Sequence, residues 1–133
     1  MNTLLASARP DLRFALEVLL REQPGIDVVG TATGTEGLLA LIETTGPDLV
    51  LFDWDLPGRP PAGVLAVARA LDCPPYIIVL GKDEAGRQAA LTAGANTFVL
   101  RGAPPRHLLA AIRLARSRRH PSGDPLPTEA KGA

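Results

Sequence analysis

A chain of 133 residues, 46% of them hydrophobic, is long enough for one compact domain with its own core and too short for a second. Formal charge sums to zero over 14 basic and 14 acidic residues, and no run approaches the roughly 18 apolar residues of a membrane span. A lone Cys73 and two isolated histidines, His107 and His120, exclude an internal disulfide and a spaced Cys/His zinc set, and the start lacks a secretory signal, so the expected location is cytoplasmic.

Five short apolar runs alternate with five amphipathic stretches, the pattern of a parallel sheet covered by helices on both faces. The first run, 3–6, is followed by a helix that Pro10 opens, with Leu12, Ala15, Leu16, Leu19 and Leu20 at three- and four-residue spacing, and that Pro24-Gly25 ends. The second run, 27–30, leads into a helix after Gly34-Thr35 with Leu38, Leu39 and Ile42 on one face and Gly46-Pro47 as its stop. After the third run, 49–52, Pro60-Pro61 opens a helix carrying Val64, Leu65, Val67, Ala68 and Leu71. The fourth run, 76–80, is apolar without alternation, as a strand buried on both faces should be. The helix predicted over 83–93 is rich in alanine, holds Gly86 in its first turn and stops at Gly94; its apolar face is thin, which marks it as the helix most able to move. The fifth run, 97–100, precedes a helix from Pro104-Pro105 through Leu108, Leu109, Ile112 and Ala115 into a row of arginines. The expected fold is thus α/β, five parallel strands with helices on both faces, a doubly wound (βα)5 domain over 1–119. Residues 120–133, rich in proline and glycine, lack a periodic apolar face and are expected to be disordered.

In such a sheet, functional groups gather beyond the carboxyl ends of the strands. The stretch Pro47-Asp48-Leu49-Val50-Leu51-Phe52-Asp53-Trp54-Asp55-Leu56-Pro57-Gly58, an apolar strand tipped by an acid and followed by a Pro-Gly turn, resembles the phosphoacceptor segment of CheY-like response-regulator receiver domains. Ile26-Asp27-Val28-Val29-Gly30 is similar to the second strand of receivers joined to helix-turn-helix (NarL-like) outputs. Thr92-Ala93-Gly94-Ala95, then Phe98-Val99-Leu100, is similar to the segment leading into the fifth strand. The resemblance spans residues 3 to 118 and implies a flavodoxin-like fold, a role in two-component phosphorelay signalling, and Asp53 as the phosphoacceptor. It also implies Mg²⁺ bound by acids after the first strand, a Ser/Thr after the fourth and a Lys after the fifth.

Those positions depart from the pattern. Ser7 and Ala8 stand where the acids belong and offer no carboxylate to a hard dication. Gly81 replaces the Ser/Thr, and Arg101 replaces the Lys with a planar fork suited to pairing directly with Asp53. Phe98 takes the place of the switch aromatic and lacks a hydroxyl, and the Asp55 side chain is expected to point away from any metal. Mg²⁺ binding is therefore expected to be weak or absent, and no other cofactor or catalytic residue is predicted.

Two readings of the same family follow. In one the chain is a stand-alone, phosphorylation-independent interaction module, not an enzyme; in the other it is a conventional receiver that a histidine kinase phosphorylates on Asp53. A more distant alternative, a haloacid-dehalogenase-like phosphatase, rests on the Asp53-Trp54-Asp55 triplet, although Pro57 stands where that family expects Thr or Val. A flavodoxin-like cofactor protein lacks its phosphate loop at Ala6-Ser7-Ala8-Arg9-Pro10.

Expected partners are a histidine kinase or an output protein, because the chain ends soon after the fifth helix. They are expected on the face of the fourth helix, fifth strand and fifth helix, with Arg106, Arg113 and Arg116 as contacts and Trp54 as either an anchor or a side chain folded over the pocket. A homodimer through that face, or through the first and fifth helices, is a further expectation. Residues 101–120 carry six arginines and no acid, but no interleaved aromatics, so nucleic-acid binding is not expected.

Overall fold

The computed structural model describes residues 1–118, and residues 119–133, with the tail expected to be disordered over 120–133, lie outside the described residues. Within it β1 (Asn2–Ala6), α1 (Pro10–Arg21), β2 (Asp27–Ala32), α2 (Thr35–Thr45) and β3 (Leu49–Asp53) are followed by α3 (Pro61–Arg69), β4 (Tyr76–Gly81), α4 (Glu84–Ala93), β5 (Thr97–Leu100) and α5 (Pro105–Arg118). All strand pairings are parallel and the order is β2-β1-β3-β4-β5, the flavodoxin-like arrangement. The order reverses between β1 and β3, which opens a crevice at their carboxyl ends.

Alternate side chains of each strand leave by opposite faces, so both layers are filled from one set of strands. Leu4, Ala6, Val50, Phe52, Ile77, Val79 and Phe98 pack with α2, α3 and α4. Leu5, Leu49, Leu51, Ile78, Leu80 and Val99 pack with α1 and α5. Burying both faces is why the central strands read as unbroken apolar runs.

The elements match the sequence reading with local differences. β2 continues to Ala32 because Thr31 and Ala32 still pair with Leu5 and Ala6, and β3 takes in Asp53, which pairs with Leu80. Val67, expected on the apolar face of α3, is half-exposed, since the helical turn that buries Val64, Leu65 and Ala68 carries position 67 outward. Ala15 likewise faces solvent. α4 buries only Ala90, as its thin apolar face implied. Its start is nevertheless fixed: the Asp83 carboxylate accepts from the Gly86 N–H at 2.9 Å, an N-cap worth about 1 kcal/mol.

Candidate functional site

Asp53 ends the row begun by Leu49 and Leu51, and Arg101, just past β5, continues the row of Thr97 and Val99, so both side chains leave on the α1/α5 side. β4 lies between their strands, a separation of roughly 10 Å that a short and a long side chain together can span. The Arg101 N–H donates to the Gly81 carbonyl at 2.8 Å, which fixes where that long side chain begins.

Arg101 Nη1 donates to both Asp53 oxygens, at 2.7 Å and 3.0 Å, and Nη2 donates to Asp55 Oδ2 at 3.0 Å. The Asp55 N–H adds a bond to Asp53 Oδ1 at 3.2 Å. The Asp53 side chain is 2% exposed, that of Arg101 15% and that of Asp55 48%, so the first pair sits in low dielectric and the second is screened by water. Burial is the largest single influence on the guanidinium and favours its neutral form. The charge and hydrogen bond of Asp53, followed by those of Asp55, together outweigh it and hold the Arg101 pKa above its ordinary value. The Asp55 carboxylate meets the second edge of the guanidinium, because a fork with two N–H edges can serve two carboxylates at once.

The end of β1 presents no carboxylate. Ser7 is buried, with its Oγ accepting from the Arg9 N–H at 3.1 Å and its carbonyl accepting from Arg13 Nη1 at 2.8 Å, while Ala8 is exposed and apolar. Among the described residues no group of three or more His, Cys, Asp or Glu side chains is placed to hold a metal ion.

At the end of β4, Gly81 lies against the Phe98 ring. A Cβ built on Gly81 would fall 2.5 Å and 2.6 Å from two ring carbons, so the ring occupies the space that a side chain at position 81 would need. The Arg87 guanidinium covers the same ring at 5.1 Å from its centroid. Trp54, held by its N–H to the Leu80 carbonyl at 2.7 Å, is partly buried with its ring centroid 6.4 Å from that of Phe52. It lies over the core edge beside Gly86, not free in solvent.

The arginine row on α5 divides. Arg106 and Arg113, two turns apart, line a groove with Arg87, His107, Phe98 and Leu114. Arg116 is not on it: its Nη2 donates to the Pro24 carbonyl at 2.7 Å, because three residues beyond Arg113 the helix has turned toward the loop between α1 and β2. The sequence reading missed Arg87 and His107, whose place on the groove depends on how α4 and α5 flank β5. It also missed Phe14, 71% exposed on α1, whose only signal was a phenylalanine off the apolar period of that helix.

The model of the response regulator receiver domain matches residues 4–113. The nitrate/nitrite response regulator protein NarL of Escherichia coli is 32% identical over 114 residues, covering 84% of this chain and 53% of that protein. The transcriptional regulatory protein YhcZ of Bacillus subtilis is 36% identical over 114 residues, covering 82% of this chain and 52% of that protein. The chain thus spans about half the length of these relatives. The solved signal receiver domain of NarL from Mycobacterium tuberculosis superimposes with a TM-score of 0.78 at 26% identity, covering 88% of this chain and 97% of that one. None of these matches supports the phosphatase alternative, and among the described residues no helix is long and apolar enough to cross a membrane.

Proposed function

Because the chain belongs to the response regulator receiver domain family of two-component signalling, and its central carboxylate is already paired, we propose that it is an atypical receiver that binds its partners without phosphorylation of Asp53. The observation that carries this reading is Arg101 Nη1 bonded to both oxygens of a nearly inaccessible Asp53. A phosphodonor needs one of those oxygens free, and a divalent cation needs oxygen ligands; the guanidinium takes the first and Ser7-Ala8 withholds the second. The residues present therefore do not fit Mg²⁺. Phosphorylation would add about two negative charges beside Asp55 with no metal to balance them. A cytoplasmic location accords with this reading.

Partners are then a histidine kinase or an output protein, docked on the groove over β5, or a second copy of the chain through that groove or through α1 and α5. The test is intact-mass spectrometry of the protein incubated with Mg²⁺ and a small-molecule phosphodonor, beside an Asp53→Asn control and a competent receiver. No adduct is expected. An adduct lost in the control would overturn the proposal and restore the conventional receiver, whose acceptor position Asp53 retains.

A further inference from the structure

Between α1 and the start of α5 the fold leaves an apolar cleft of about 350 Å³. Its floor is Leu80 and Val99, one wall is the row of Leu12, Leu16 and Leu19 on α1, and the other is Leu108. Positions 12, 16 and 19 share one stripe of the helix, so the wall is continuous, and at 1.5 Å of rise per residue it runs for about 10 Å. Leu16 is buried, whereas Leu12 and Leu19 stay partly exposed beside the cleft.

One end of this slot is charged and the rest is not. Leu12, Arg101 and Gly102 line both the cleft and a more polar cavity beside the β1–α1 turn, so the two meet there. Arg9 lines the polar side and forms no ion pair with any described residue. Arg101 gives Nη1 to Asp53 and Nη2 to Asp55, which balance its charge but leave its Nε edge. Asp11 is the one carboxylate lining that end, and its place in the first turn of α1 sets it against the helix N-terminus. Toward Leu19 the described lining is apolar, with Arg101 its single charged side chain.

An apolar slot with guanidinium groups at one end matches an amphiphile with an anionic head and an unbranched tail. The tail would take leucine surface out of water, and the head would meet Arg9 and the remaining edge of Arg101. We propose that this cleft is a binding site for a small linear carboxylic acid, with a tail of about eight carbons to match the length of the Leu12–Leu19 wall. Arg101 is the residue through which occupancy would reach Asp53, without any covalent change. The site does not depend on whether Asp53 accepts a phosphoryl group.

The experiment is a titration of the full chain with sodium octanoate, followed by backbone amide resonances, beside butanoate, octylammonium and 1-octanol. Octanoate is expected to shift Leu12, Leu16, Leu19, Gly102 and Leu108. Butanoate should bind about a hundredfold more weakly, since four methylenes are lost from an apolar slot, and octylammonium about tenfold more weakly or worse. Arg9→Glu should weaken octanoate by about tenfold and leave 1-octanol unchanged, a split that poor folding would not produce. Ala15→Trp, at an exposed position that lines the cleft, should abolish the shifts from both octanoate and 1-octanol.

No shift at about 10 mM octanoate, shifts confined to another face, or octylammonium binding as tightly as octanoate would each overturn the proposal. An unchanged response in folded Ala15→Trp would do the same, and if that variant folds poorly the Arg9→Glu split decides. A phosphoryl adduct on Asp53 is a separate result, read by mass, which would overturn phosphorylation independence and leave this site standing.

Discussion

Replacing Arg101 with methionine keeps most of the side-chain volume and removes the only cation bonded to Asp53 among the described residues. The carboxylate, 2% exposed, would keep a single hydrogen bond from the Asp55 N–H. Stripping one partner from a buried pair costs about 3–5 kcal/mol, whereas the half-exposed contact with Asp55 adds only about 0–1 kcal/mol. Arg101→Met should therefore destabilise the domain by about 3–4 kcal/mol, a fall in Tm on the order of 10 °C. Asp53→Asn leaves Arg101 with Asp55 and with water, and should cost less, about 1–2 kcal/mol. The double variant leaves no buried charge unpaired, so a coupling energy of about 2 kcal/mol is expected. Urea unfolding followed by Trp54 fluorescence would measure all four proteins. A loss under about 1 kcal/mol for Arg101→Met, with no coupling, would show that water already solvates Asp53 and would refute the claim that the pair is held in low dielectric.

The same pair has a defined pH behaviour: its folded Arg101 pKa is raised, so the stabilisation is fully present below the unfolded value and is lost only as pH rises through the folded one, in strong alkali. The coupling energy should accordingly be the same at about pH 7 and about pH 9, by the same denaturation cycle. Gly58→Ala should cost about 1–3 kcal/mol in thermal unfolding, because Gly58 has φ 112° and a Cβ there would collide with the buried Thr35 hydroxyl. Phe14→Ser should change stability by less than about 0.5 kcal/mol, since its ring is 71% exposed; a larger loss would mean that the ring is covered in solution. Ser7→Asp with Ala8→Asp and Arg101→Lys should produce a Mg²⁺-dependent change in Trp54 fluorescence that the unaltered protein lacks.

The layered fold was legible because each strand signals its burial locally: Ile77 to Leu80 cannot be amphipathic, and Gly46, Gly94 and paired prolines punctuate the helices. Asp53 was legible for the same reason, as an acid at the tip of such a strand, and its contact with Arg101 followed from the reach of a planar fork across one intervening strand. What the sequence withheld depends on relative placement. Asp55 joins the pair because the turn after β3 swings its carboxylate back, Arg116 leaves the groove because α5 rotates it toward Pro24, and Phe98 meets Gly81 because the two lie two residues out of register on adjacent strands.

The departures from the receiver pattern form one consistent set. A carboxylate buried at the end of β3 must be neutralised, and in a metal-binding pocket further acids recruit a cation from solvent. Here the cation is part of the chain. Once Arg101 bridges Asp53 and Asp55, acids at positions 7 and 8 would add negative charge that the guanidinium is already shared too widely to balance, so Ser7 and Ala8 suit the pocket electrostatically. A side chain at position 81 would likewise evict the Phe98 ring. Returning acids to positions 7 and 8 alone would therefore leave an unbalanced charge, and adding a side chain at position 81 alone would leave a clash.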